Sequence, residues 1–123
     1  MIWLLVAAGG AAGSVLRLAA GRVAVHFLGS GTVWGTFFVN VTGSFLLGFF
    51  LAYALQRNNI SADIRAMVAV GVLGGYTTFS TLSYDTVRLL ESGELTRAGL
   101  YIGANLLIGL GAAYLGILSG RAV

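Results

Sequence analysis

The stretch GVLGGYTTFSTLSYD (residues 71–85) decides how this chain folds. Gly74 and Gly75 together cost about 2 kcal/mol of helix propensity relative to two alanines. Thr77, Thr78, Ser80 and Thr81 compete with a helix for backbone hydrogen bonds. Yet the apolar run around them, residues 64–90, exceeds the roughly 20 residues that a helix needs to cross about 30 Å of hydrocarbon. A spanning segment with so poor a centre predicts an interruption at mid-span. In a bilayer, non-helical backbone survives only where it is buried in protein or lines a polar cavity, so the interruption marks a site. Freed carbonyls there suit a cation, and freed N–H groups or hydroxyls suit an anion.

The rest of the chain has the same solvent preference. Of 123 residues, 58% are hydrophobic and 9% charged, which excludes an ordinary soluble domain. Polar breaks at residues 29–32, 56–65 and 88–97 leave four segments, residues 2–28, 34–55, 64–90 and 98–118, each long enough to span. Strands are a poor alternative, because SFLLGFFLAYAL (residues 44–55) is apolar on every side instead of alternating. The fold expected is an all-α membrane protein, a single domain over residues 1–123. MIWLLVAAGG at the N-terminus has no basic side chain, so the first segment is expected to stay in the mature protein. The absence of cysteine excludes disulfides and thiolate metal sites. The arginine excess suits membrane-protein loops, with no nucleic-acid footprint.

Charge does not orient the bundle. Arg57, Arg65 and Arg121 fall on the side of the termini, and Arg22, Arg88 and Arg97 fall opposite, with Arg17 one turn further in. The tie leaves two readings under the rule that basic loops stay cytoplasmic. Either one residue or a partner breaks it, or the chain inserts both ways up and pairs as an antiparallel two-fold dimer. Glycine pairs four apart at Gly9/Gly13, Gly71/Gly75, Gly99/Gly103 and Gly116/Gly120 give close helix contacts, within the chain or between copies.

Each polar group inside a span needs a partner or a wet path. Arg17 either snorkels to the headgroups, as Arg22 does, or lines a vestibule that concentrates anions. Asn40 in FFVNVTGS (residues 37–44) is interhelical glue or an uncharged pair of N–H donors. Tyr101, Asn105 and Gly109 share one face of the fourth span. Trp3, Trp34 and Tyr53 fit the interfacial belt. His26 stands alone without carboxylate or thiol neighbours in sequence. Phe79 is core packing, or a ring whose electropositive edge meets an anion. Asp85 is solvated or pairs with Arg88.

GGYTTFST (residues 74–81), VNVTGS (residues 39–44) and GSVLRL (residues 13–18) resemble the Fluc/CrcB fluoride channels, over all four spans, in order and at matching spacing. The resemblance implies a fluoride-selective passive channel in the cell (inner or plasma) membrane, built as an antiparallel dual-topology homodimer with two pores. It implies a sodium ion at the dimer centre, held by main-chain carbonyls of Gly74 and Thr77 from both subunits. By motif position, the fluoride pathway takes Asn40, Phe79, Ser80, Thr81 and Tyr101, with Arg17 in the vestibule and Asn105 where a serine often stands. The chain departs from the family at Leu82, where a second phenylalanine is usual, and at Asp85, where glutamate is common. A proton-coupled small multidrug exporter remains an alternative, although it needs a carboxylate deep in the membrane and Asp85 lies near a helix end. A structural membrane protein is the other. An enzyme is not expected, because no nucleophile, base and orienting group fall together.

Overall fold

The computed structural model describes residues 1–123, and four helical units in it are long and apolar enough to cross a membrane. They are α1 (Ile2–Leu28), α2 (Trp34–Leu55), a composite third span (Ala62–Glu91) and α6 (Leu95–Ala122). The third span consists of α3 (Ala62–Ala66), a π-helical stretch (Met67–Leu73), α4 (Gly74–Tyr76) and α5 (Phe79–Glu91). The third and fourth spans run past the ends that hydropathy suggests. Hydropathy finds the edge of the hydrocarbon, whereas a helix continues until its hydrogen bonds are capped. Ser61 supplies such a cap, its Oγ accepting from the Ile64 N–H at 3.2 Å. A tight turn joins α5 to α6, with Gly93 at φ 76° and the Glu94 N–H donating to the Leu89 carbonyl at 2.9 Å.

Two close helix pairs form the chain, α2 on α6 and α1 on the third span up to Tyr76. Glycine makes both possible. A Cβ at Gly116 would overlap the Phe45 carbonyl, and one at Gly120 would overlap that of Phe49. On the other pair, a Cβ at Gly13 would overlap the Val72 carbonyl, and one at Gly75 would lie 2.8 Å from the Gly10 carbonyl. Three of the four glycine pairs seen in the sequence are thus used within the chain. Gly99 and Gly103 have nothing within 4 Å.

Only 21 of 123 residues are buried, so most apolar side chains point outward, as a lipid solvent allows and water would not. The small core includes Leu82 with Val33, Leu89, Ala98 and Tyr101. Leu82 is 4% exposed. At the position where a second phenylalanine is usual, this chain therefore has a packing residue, whose side chain fills the seam between α5 and α6.

Candidate functional site

The residues between α4 and α5 are extended: Thr77 has ψ 161°, and Thr78 has φ −152° and ψ 121°. The two glycines are not what ends α4, since Gly74 keeps helical angles at φ −65° and ψ −38°. The lack of a Cβ at Gly75 serves the approach of α1 instead. Side chains set the change of direction two residues later. The Thr77 hydroxyl donates back to the Leu73 carbonyl at 2.9 Å. Thr78 then caps α5, its Oγ1 accepting from the Thr81 N–H at 3.2 Å and donating to Thr81 Oγ1 at 3.1 Å.

Asn40, on α2, grips the backbone of Thr78 at both ends. Its Oδ1 accepts from the Thr78 N–H at 2.8 Å, and its Nδ2 donates to the Thr78 carbonyl at 3.0 Å. The second hydrogen of Nδ2 goes to Asn105 Oδ1 at 3.0 Å, and Asn105 Nδ2 donates to the Tyr101 carbonyl at 2.8 Å. Tyr101 is fully buried, and its hydroxyl donates to Asp85 Oδ2 at 3.1 Å. One hydrogen-bonded chain thus joins Thr78, Asn40, Asn105, Tyr101 and Asp85. Asp85 is not paired with Arg88, whose guanidinium lies over the Tyr84 ring 5.9 Å from its centroid. Trp34 is part of the same assembly, its ring edge-on to Tyr101 at 6.3 Å between centroids, and so does more than mark an interface.

Beside this chain, a cavity of about 230 Å³ lies between α1, α2 and α5, lined by Arg17, Thr36, Thr78 and Thr81 among others. A wider cavity shares Thr36 and Thr81 and reaches Arg22 and Asp85. Cation, hydroxyls and carboxylate thus follow one another along a polar recess. Arg17 Nη1 also lies 3.5 Å from the Thr77 carbonyl, the outer limit of a hydrogen bond. The Thr78 N–H bonds Asn40 and not the Gly74 carbonyl, and Gly74 is exposed. Phe79 is 76% exposed and Ser80 is exposed, so this chain alone does not bring the ring against Asn40.

Residues 4–117 match the sequence family described as "CrcB-like protein, Camphor Resistance (CrcB)". The chain belongs to the CrcB family. It is 49% identical to a protein of Thermus thermophilus named "Fluoride-specific ion channel FluC", over 98% of this chain and 96% of that one. It is 44% identical to proteins of the same name from Hyphomonas neptunium and Rhizobium meliloti, in each case over 98% of this chain and 96% of the relative. With its four spanning helices, this CrcB chain is a multi-pass protein of the cell membrane.

Three parts of the site, Thr78, Thr36 and Gly43, are not singled out by the sequence, and Thr36, which lines both cavities, carries no local signal. Thr78 is the residue that Asn40 holds, and its place three before Thr81 at a helix start is a capping signal. Gly43 permits α2 to reach it, since a Cβ there would overlap the Thr77 methyl. Nothing local announces that contact.

Proposed function

We propose that this CrcB chain is a fluoride-selective passive channel that lets cytoplasmic fluoride leave the cell. The observation that carries the reading is the extended pair Thr77–Thr78, pinned by Asn40 beside a recess that holds Arg17 and the hydroxyls of Thr36 and Thr81. The likeness to fluoride channels over nearly the whole chain supports it.

Fluoride is small and strongly hydrated, so a pore must replace its water with donors. Asn40, Ser80 and Thr81 are donors without charge, while the Tyr101 hydroxyl, bound to Asp85, and the Asn105 amide, bound to the Tyr101 carbonyl, hold the pathway's shape. Neutral donors leave the ion free to depart, whereas a fixed cation at the narrowest point would trap it. Arg17 raises the local anion concentration from the recess. Phe79 offers its ring edge, where hydrogens carry partial positive charge. Hydrogen fluoride crosses lipid and dissociates in a less acid cytoplasm, so a downhill exit for the trapped anion protects the cell without fuel.

The interrupted third span is read as the centre of an antiparallel, dual-topology homodimer. The tied arginine count supports that assembly, and so do the exposed Phe79 and Gly74, which await a second copy. Uncharged carbonyl oxygens of Gly74 and Thr77, doubled by the two-fold axis, are a donor set suited to a sodium ion. That ion would supply a fixed positive charge to hold the two spans together. The Thr77 carbonyl already faces a cation, Arg17, and a sodium ion there would share or displace it.

Purified protein in liposomes is expected to release fluoride down its gradient while chloride stays inside, as read by ion-selective electrodes. Well-folded dimers with no fluoride flux would overturn the proposal. Reporters fused after Val123 are expected to signal from both sides of the membrane. A signal from one side only would exclude the dual-topology homodimer.

A further inference from the structure

The Asn40 carboxamide has no donor to spare. Its orientation is dictated by groups whose polarity is fixed, because the Thr78 N–H only donates and the Thr78 carbonyl only accepts. The same holds for Asn105, whose Nδ2 is bound to the Tyr101 carbonyl and whose Oδ1 therefore faces Asn40. Both N–H groups of Asn40 are thus engaged, one by backbone and one by Asn105.

We propose that Asn105 is a positioning residue that controls when Asn40 gives an N–H to the anion. The inference rests on the reading of Asn40 as a pathway donor. An ion reaching Asn40 must take the place of one of its two acceptors. The Thr78 carbonyl belongs to a residue held by a second bond through its own N–H, and to backbone that cannot turn away. Asn105 Oδ1 is a single contact on a side chain, so it yields first. The exchange replaces a neutral acceptor with an anion, and hydrogen bonds to ionised acceptors are about twice as strong as neutral ones. Asn105 thereby sets the fluoride affinity of a donor that it does not itself provide. Its bond to the Tyr101 carbonyl keeps the competing oxygen in place between ions.

Serine at this position separates the two parts of the role. Its hydroxyl can bond back to the Tyr101 carbonyl, as Thr86 does to Leu82 at 2.7 Å and Ser83 to Phe79 at 3.0 Å. It is too short to reach Asn40. In reconstituted channels, Asn105→Ser is expected to lower the half-saturating fluoride concentration of single-channel current by about 2- to 10-fold, the equivalent of one neutral hydrogen bond no longer displaced. A purely structural role would lower flux or assembly without lowering the half-saturating concentration. If Asn105→Ser fails to assemble, Asn105→Ala carries the same prediction, because it also removes the competing oxygen. An unchanged or raised half-saturation in the assembled variant, with wild-type flux intact, would overturn the inference. Absence of fluoride flux in the wild type would instead overturn the channel reading.

Discussion

Asn40→Leu is expected to abolish fluoride conduction and to loosen the third span. Leucine keeps the branching of asparagine, with a somewhat larger volume, but removes three hydrogen bonds, two to Thr78 and one to Asn105. Interhelical hydrogen bonds in membranes are worth roughly 0.6–1.7 kcal/mol each, so the loss is about 2–5 kcal/mol. The upper part of that range is expected here, because the freed Thr78 N–H and carbonyl are part-buried backbone groups that cannot rotate toward other partners. Two consequences are separable. The midpoint of thermal unfolding in detergent reports the lost grip on Thr78. Fluoride efflux from liposomes reports the lost donors, and should fall to the level of protein-free vesicles even in the fraction that still assembles. Flux at the wild-type rate would show that neither the grip nor the donors serve conduction.

Gly13→Val should have a larger effect on folding than any substitution of an exposed apolar side chain. A Cβ at Gly13 would overlap the Val72 carbonyl and lie 2.9 Å from the Tyr76 nitrogen, both of them backbone that cannot swing aside. Helix α1 would have to draw back from the third span. That movement would open the neighbouring contacts of Gly9 with the Met67 carbonyl and of Gly75 with the Gly10 carbonyl. It would also draw Arg17, one turn on, away from the Thr77 carbonyl. The cost is expected to exceed about 4 kcal/mol, an exceptional loss for a single substitution. Size-exclusion chromatography should show aggregate in place of a monodisperse peak. Gly99→Ala is the contrasting case. Nothing lies within 4 Å of that position, and helix propensity gains about 1 kcal/mol, so its elution and stability should match or exceed those of the parent chain. A well-behaved Gly13→Val protein would mean that the α1 contact does not hold the fold together.

Much of the membrane fold was legible without coordinates, for a simple reason. A helix must cover a fixed thickness of hydrocarbon and satisfy its own backbone, so length and hydropathy together mark the spans. The face that carries Tyr101, Asn105 and Gly109 was equally legible from spacing, and all three are buried in α6. Other features were displaced or hidden. By propensity the glycines at 74 and 75 mark the place where the helix fails, yet Gly74 is helical and the extended residues are Thr77 and Thr78. Glycine in a span has two uses, a flexible backbone and a close approach, and only the neighbouring helix distinguishes them. Leu82 looked like a gap in an aromatic pair. It belongs to a core whose members Val33, Ala98 and Tyr101 come from distant parts of the chain.

By itself, the sequence determined the solvent, the number of spans, the family, and which polar residues stand inside hydrocarbon. Those follow from hydropathy and from motif order, which are properties of the chain read one residue at a time. The tertiary structure alone decided what each polar residue holds. Asn40 had donors in the sequence, but only the approach of α2, permitted by Gly43, places them on Thr78 and Asn105. Asp85 had a basic neighbour one turn away and takes the buried Tyr101 hydroxyl instead. A hydrogen bond between residues tens of positions apart depends on helix packing to within a fraction of an ångström, and that information resides in no local stretch of the chain.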